Sequence, residues 1–179
     1  MRVRRNADSF TSRLFVFAQI VFRVHVNWNS GPKMNSSIRP NIENSSTLLL
    51  ADDNPDLLAT LVEMLQAKYH IAGALGNGTS VLDQVLTLRP DLVLLDVSLG
   101  DLTGFEVARR LRTSGCTAKI IFLTVHEDVE FENAAFDMGA SGYVFKSRVY
   151  QDLIKAIDLV LSGGRFSCGA PQRTPPVIH

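Results

Sequence analysis

Between residues 47 and 164 the chain alternates short apolar runs with longer segments of helical periodicity, and does so five times. Short continuous apolar runs suit parallel strands buried on both faces, and apolar residues at every third or fourth position mark helices lying on such a sheet. The runs are TLLLAD at 47–52, a weaker one at 70–75, DLVLLD at 91–96, KIIFLTV at 119–125 and GYVFK at 142–146. The first helix is signalled by Asn54 as a cap, Pro55 at the first turn, and Leu57, Leu58, Leu61, Val62 and Leu65. The second is expected to be capped by Thr79 or Ser80, to carry Val81, Leu82, Val85, Leu86 and Leu88, and to stop at Arg89-Pro90. The third runs over 105–113 with Phe105, Val107, Ala108 and Leu111 inward. The fourth covers 127–138, opens on acids that suit a helix N-terminus and ends at Gly139. The fifth covers 150–161 and is ended by Gly163-Gly164.

Strand and helix in strict alternation predict an α/β domain, a parallel sheet with helices on both faces. Right-handed crossovers then bring the C-terminal ends of all strands to one edge, where the sites of such sheets lie. The polar residues at those ends are Asp52 and Asp53, Asp96, Thr124 and Lys146. Three neighbouring carboxylates repel one another, and a cation relieves that repulsion. Oxygen-only ligands favour Mg²⁺ over zinc. A lysine ammonium and a threonine hydroxyl suit the oxygens of a phosphoryl group.

Each residue also has an ordinary reading: a helix start for Asp52-Asp53, a turn cap for Asp96, a surface charge for Lys146, a strand residue for Thr124. The case for a site rests on their joint placement at strand ends. His126, opening HED, is read as a helix-start residue near the site. The glycines of GALGNGTS do not follow the first strand, which argues against a dinucleotide fingerprint.

Charge narrows the class further. The whole chain of 179 residues is neutral, with 18 basic and 18 acidic residues. Residues 46–166 nevertheless hold 16 acids against 10 bases, while the flanks are basic. The main segment therefore lacks the excess of basic charge expected of a nucleic-acid binder. Cys116 and Cys168 have no partner at zinc-ligand spacing and cannot form a disulfide scaffold, which fits a cytoplasmic chain. Residues 1–45 read as a flexible leader. Its apolar run at 14–26 is shorter than the roughly 20 residues of a membrane span, and it lacks a signal-peptide cleavage pattern. A start at Met34 would remove residues 1–33, and a membrane or partner anchor is the alternative reading.

LLLADDNP, DLVLLDVSLGDLTGFEVARRL, IIFLT and GASGYVFK, in this order and spacing, resemble the receiver domain of two-component response regulators. AIDLVLSGGRFS further resembles receivers of the NarL/FixJ type. The resemblance covers residues 46–166 and implies a flavodoxin-like (βα)5 fold with a five-stranded parallel sheet in the order 2-1-3-4-5. It implies that Asp96 is the phosphoacceptor for a sensor histidine kinase or phosphotransfer protein. Asp52, Asp53, Asp96 and the Ser98 backbone carbonyl would bind Mg²⁺, and Lys146 would pair with the phosphoryl oxygens. Thr124 and Tyr143 would be the switch pair, altering a face made by the fourth helix, fifth strand and fifth helix.

Such a domain is a signalling module and not an enzyme acting on external substrates, although it promotes its own phosphotransfer and dephosphorylation. Three positions depart from the usual pattern: Ser98-Leu99 for Met-Pro, Val125 for a small residue, and Ser147 for a proline. A pseudo-receiver that works without phosphorylation is the alternative. A haloacid-dehalogenase-like phosphatase expects a second Asp two residues after the nucleophile, where Ser98 stands. Residues 167–179 read as a short flexible tail, too short for a helix-turn-helix domain. The expected output is therefore a downstream protein partner, with a homodimer as one option and no direct DNA contact.

Overall fold

The computed structural model describes residues 45–169. The expectations for the leader up to residue 44, including the start at Met34, and for the tail beyond residue 169 lie outside the described residues. The elements run β1 (Thr47–Ala51), α1 (Pro55–Leu65), β2 (His70–Leu75), α2 (Gly78–Leu88), β3 (Leu92–Asp96), α3 (Gly104–Thr113), β4 (Lys119–Thr124), α4 (Val129–Asp137), β5 (Gly142–Phe145), a 3-10 turn (Lys146–Arg148), α5 (Val149–Leu161) and β6 (Phe166–Ser167). All strand pairings are parallel, in the order β2-β1-β3-β4-β5-β6.

Strand side chains alternate between two apolar layers. Leu48, Leu50, Leu92, Leu94, Ile121, Leu123 and Val144 face α1 and α5, where Leu58, Leu61, Leu65, Leu153, Ile157 and Val160 meet them. Leu49, Ala51, Val93, Leu95, Ile120, Phe122 and Tyr143 face the other way, onto Val81 and Val85 of α2, Val107 and Leu111 of α3 and Ala135 of α4. The three-layer sandwich follows directly, because a strand apolar on both sides cannot leave either face to water.

Helix boundaries agree with the sequence where local chemistry sets them. The Asn54 side chain accepts from the amides of Asp56 at 3.0 Å and Leu57 at 3.2 Å, with Pro55 in the first turn. Arg89 takes a left-handed conformation (φ 46°) just before Pro90 and closes α2. Gly139 (φ 83°) and Gly163 (φ 94°) follow α4 and α5.

Three differences have physical causes. Asn77, and not Thr79 or Ser80, caps α2, accepting from the Ser80 amide at 2.8 Å. The Thr79 hydroxyl is instead engaged with Asp101, at 2.7 Å. Helix α4 begins at Val129, later than expected, because the backbone of His126 is committed to partners on β4 and β5. The sheet has a sixth strand, β6, whose Phe166 pairs with Gly142 and Ser167 with Tyr143. The Cys168 amide continues the ladder onto the Tyr143 carbonyl at 3.2 Å, and the Ser167 hydroxyl bonds Glu132 of α4. No helix among the described residues is long and apolar enough to cross a membrane.

The entry to α3 is the tightest backbone approach near the strand ends. A Cβ at Gly104 would overlap the backbone carbonyl oxygen of Asp96 and stand 3.0 Å from its carbon, while the Gly104 amide donates to Val97 at 2.8 Å. Gly104→Ala is therefore expected to destabilise the fold by about 3 kcal/mol, the upper end of an overpacking cost. Urea unfolding measures this, and a variant within about 0.5 kcal/mol of wild type would contradict it.

Candidate functional site

Asp52 leaves β1 with its side chain fully buried. Its Oδ1 accepts from the Asn54 amide at 3.0 Å, so the residue that caps α1 also orients the acid before it. Asp53 stays exposed, and Asp96 ends β3 only 3% exposed. One carboxylate oxygen from each of Asp52, Asp53 and Asp96 lies within 4.8 Å of the others. Chain positions more than forty residues apart thus meet because β1 and β3 are neighbours in the sheet.

Lys146 comes from the end of β5, across β4, and points back over the acids. Its Nζ donates to Asp96 Oδ2 at 2.7 Å and sits 2.7 Å from Asp52 Oδ2. The second contact is an ion pair without hydrogen-bond alignment, so Asp52 Oδ2 is a buried oxygen with no directed donor. Burial disfavours the Lys146 ammonium, but its contacts with Asp52 and Asp96 outweigh this, and its pKa is raised. Asp96 is also raised. Desolvation is the largest cause, Asp52 adds repulsion, and the Lys146 hydrogen bond and the Ser98 backbone amide pull the other way. Ser98 stands two residues beyond Asp96 and is bridged to Thr103 across the loop that follows β3.

Thr124 ends β4 fully buried, but its Oγ1 accepts from the His126 amide at 2.9 Å. The Tyr143 hydroxyl donates to the His126 carbonyl at 3.1 Å, and the ring is fully buried on β5. Burial pushes the Tyr143 phenol up, partly offset by a hydrogen bond with Thr124. Both residues expected to switch are therefore latched to the backbone of one loop residue. The His126 ring stacks on Phe131 with centroids 4.4 Å apart and planes at 7°, which holds that loop against α4.

Some contributors were not visible as such in the sequence. His126 works through its backbone, which leaves no residue-type signal. Ser147, which departs from the usual pattern of a proline after the lysine, donates to Glu127 at 2.8 Å and joins the Lys146 turn to the loop before α4. Asn54 carried a capping signal, but not its contact with Asp52.

A family profile described as the response regulator receiver domain matches residues 48–158. The positive alginate biosynthesis regulatory protein of Pseudomonas aeruginosa is 33% identical over 131 residues, covering 72% of this chain and 52% of that protein. The nitrate/nitrite response regulator protein NarL of Escherichia coli is 30% identical over 120 residues, covering 66% of this chain and 56% of that protein. The chain thus spans about half the length of the curated relatives it matches. Among solved structures, a LuxR-family two-component response regulator from Aurantimonas sp. SI85-9A1 superposes with a TM-score of 0.65 at 28% identity, covering 68% of this chain and 89% of that one.

The raised pKa of Asp96 carries a stability consequence. Because its folded-state pKa lies above the unfolded value, its charge costs stability at neutral pH, and the cost disappears as pH falls through the folded pKa. Asp96→Asn should therefore raise the urea midpoint of the metal-free protein at pH 7, with a smaller gain at pH 4. A loss at pH 7, or an equal gain at both, would contradict the sign.

Proposed function

The chain belongs to the response regulator receiver domain family, and from that premise we propose that it accepts a phosphoryl group on Asp96 and thereby changes its protein contacts. The observation that carries this reading is the ammonium of Lys146, 2.7 Å from both Asp52 Oδ2 and Asp96 Oδ2, above three clustered carboxylates. Residues 46–166 are the functional unit in this reading.

The buried Asp52 oxygen without a directed donor and the oxygen-only character of the cluster fit a hard divalent cation. Asp52, Asp53, Asp96 and the Ser98 carbonyl would hold Mg²⁺. Bound there, it would supply charge neutralisation for the phosphoryl oxygens. Asp96 would attack phosphorus as the phosphorus–nitrogen bond of a partner's phosphohistidine breaks, the electron pair returning to the imidazole. Lys146, already over the Asp96 oxygen, would pair with the phosphoryl group without large movement. Hydrolysis of the same acyl phosphate would reset the domain.

The Thr124 hydroxyl would have to leave its bond with the His126 amide to reach that group. Its departure would loosen the loop that also holds Tyr143. A local charge event is thereby coupled to a two-state element. The affected surface includes α4, β5 and α5, where Val129, Tyr150 and Ile154 are exposed. The acidic balance of residues 46–166 favours a protein over a nucleic acid as its partner, a second copy being one such protein. The donor would be a sensor histidine kinase or phosphotransfer protein, in the cytoplasm.

Incubation with Mg²⁺ and a small phosphodonor should add one phosphoryl mass to the tryptic peptide containing Asp96, and Asp96→Asn should abolish it. Lys146→Ala should slow the reaction roughly a hundredfold. Absence of the adduct would favour a phosphorylation-independent interaction module, and turnover of external phosphoesters would favour a phosphatase. Val125→Ala and His126→Ala should each change the rate of acyl-phosphate decay, since Val125 is 70% exposed beside Thr124 and the His126 ring anchors the loop. Unchanged decay in both would remove these residues from the control of lifetime.

A further inference from the structure

The loop from β3 to α3 folds on itself. Ser98 and Thr103 form an antiparallel bridge, the Asp101 amide donates to the Leu99 carbonyl at 2.8 Å, and the Gly104 amide donates to Val97 at 2.8 Å. Asp101 ties this loop to the start of α2. Its Oδ1 accepts from the amides of Gly78 at 2.7 Å and Leu102 at 2.8 Å. Its Oδ2 accepts from the Thr79 amide at 3.0 Å and the Thr79 hydroxyl at 2.7 Å. These donors, with the Thr79 hydroxyl foremost, hold the exposed Asp101 carboxyl well below the usual range, so it remains ionised.

Backbone shape supports the same junction. A Cβ at Gly78 would stand 2.8 Å from the Leu102 Cβ and 2.8 Å from the Val107 Cγ2, so the loop packs directly against the first residue of α2. Helix α2 already has its own cap in Asn77. Asp101, from another element 23 residues away from Gly78, adds to that cap a link between the two segments. At its near end the loop carries Ser98, two residues beyond Asp96 and bridged to Thr103.

We propose that Asp101 is a positioning residue of the acidic site: by anchoring the 97–103 loop to α2, it sets where the Ser98 peptide stands relative to Asp96 and hence how tightly the site holds a divalent cation. This rests on the reading that Asp52, Asp53, Asp96 and Ser98 bind Mg²⁺. A carboxylate that orients a ligand-bearing segment acts as outer-shell partners of metal sites do, and their loss typically weakens metal binding by about tenfold or more.

The test is calorimetric titration of the full chain with Mg²⁺ and with Mn²⁺, beside urea unfolding without metal. Asp101→Ala should weaken cation affinity about tenfold. Asp101→Asn, which keeps one acceptor oxygen, should recover part of the loss. Thr79→Val, which removes one hydroxyl donor and leaves the three amides in place, should weaken affinity by a smaller factor and serves if Asp101→Ala fails to fold. Wild-type binding that Asp101→Ala or Thr79→Val leaves unchanged would overturn the positioning role alone. A lower urea midpoint with unaltered cation affinity would reduce Asp101 to a structural tether and overturn it equally. Absence of wild-type binding would overturn the metal reading and the inference with it.

Discussion

Burial of the sheet on both faces is the constraint from which the rest follows. Leu48 to Leu50, Leu92 to Leu95 and Ile120 to Leu123 are fully enclosed, so these strands can carry polar side chains only where they leave the apolar layers. Parallel pairing then places all those exits on one edge. Asp52, Asp96, Thr124 and Lys146 are together because each is at or just beyond the last residue of a strand that cannot tolerate it earlier. The site is a boundary effect of the core, and the register of β1, β3, β4 and β5 is its scaffold.

Electrostatics at that edge are deliberately unbalanced. One ammonium faces three carboxylates, two of them buried, and the Lys146 contact does not offset the desolvation of Asp96. Such an arrangement is costly to the fold and gains by taking up positive charge. The same edge contains a neutral latch, in which Thr124 and Tyr143 are both held by the backbone of His126. The acids lie at the ends of β1 and β3, and the latch joins the end of β4 to β5, the next two strands of the sheet. Any change that draws the Thr124 hydroxyl toward Asp96 must therefore alter what His126 and Tyr143 do.

The edge beyond β5 is closed by β6, with Ser167 bonded to Glu132 of α4 and Cys168 in contact with Asp152 of α5 at 3.6 Å. That closure was not legible from two residues, Phe166 and Ser167, which carry too little pattern to announce a strand. Element identity was legible elsewhere because apolar period and capping residues agree: Asn54-Pro55, Arg89-Pro90 and Gly139 mark boundaries that the structure keeps. Helix α4 started late for the opposite reason. Acids at 127–130 satisfy local helix-start chemistry, but the loop before Val129 is held by bonds to β4 and β5 that no local signal contains.

By itself the sequence determined the layered fold, the strand order implied by its family resemblance, and the set of acids, hydroxyl and lysine at the strand ends. It could do so because burial on both faces writes a continuous apolar pattern with polar ends. Tertiary structure alone decided which oxygens face the ammonium, that Asp52 is left with an undirected buried oxygen, that the backbone of His126 holds both Thr124 and Tyr143, and that Asp101 spans from the β3–α3 loop to α2. Those facts depend on backbone groups and on contacts between segments distant in sequence, and backbone amides and carbonyls are the same at every position of the chain.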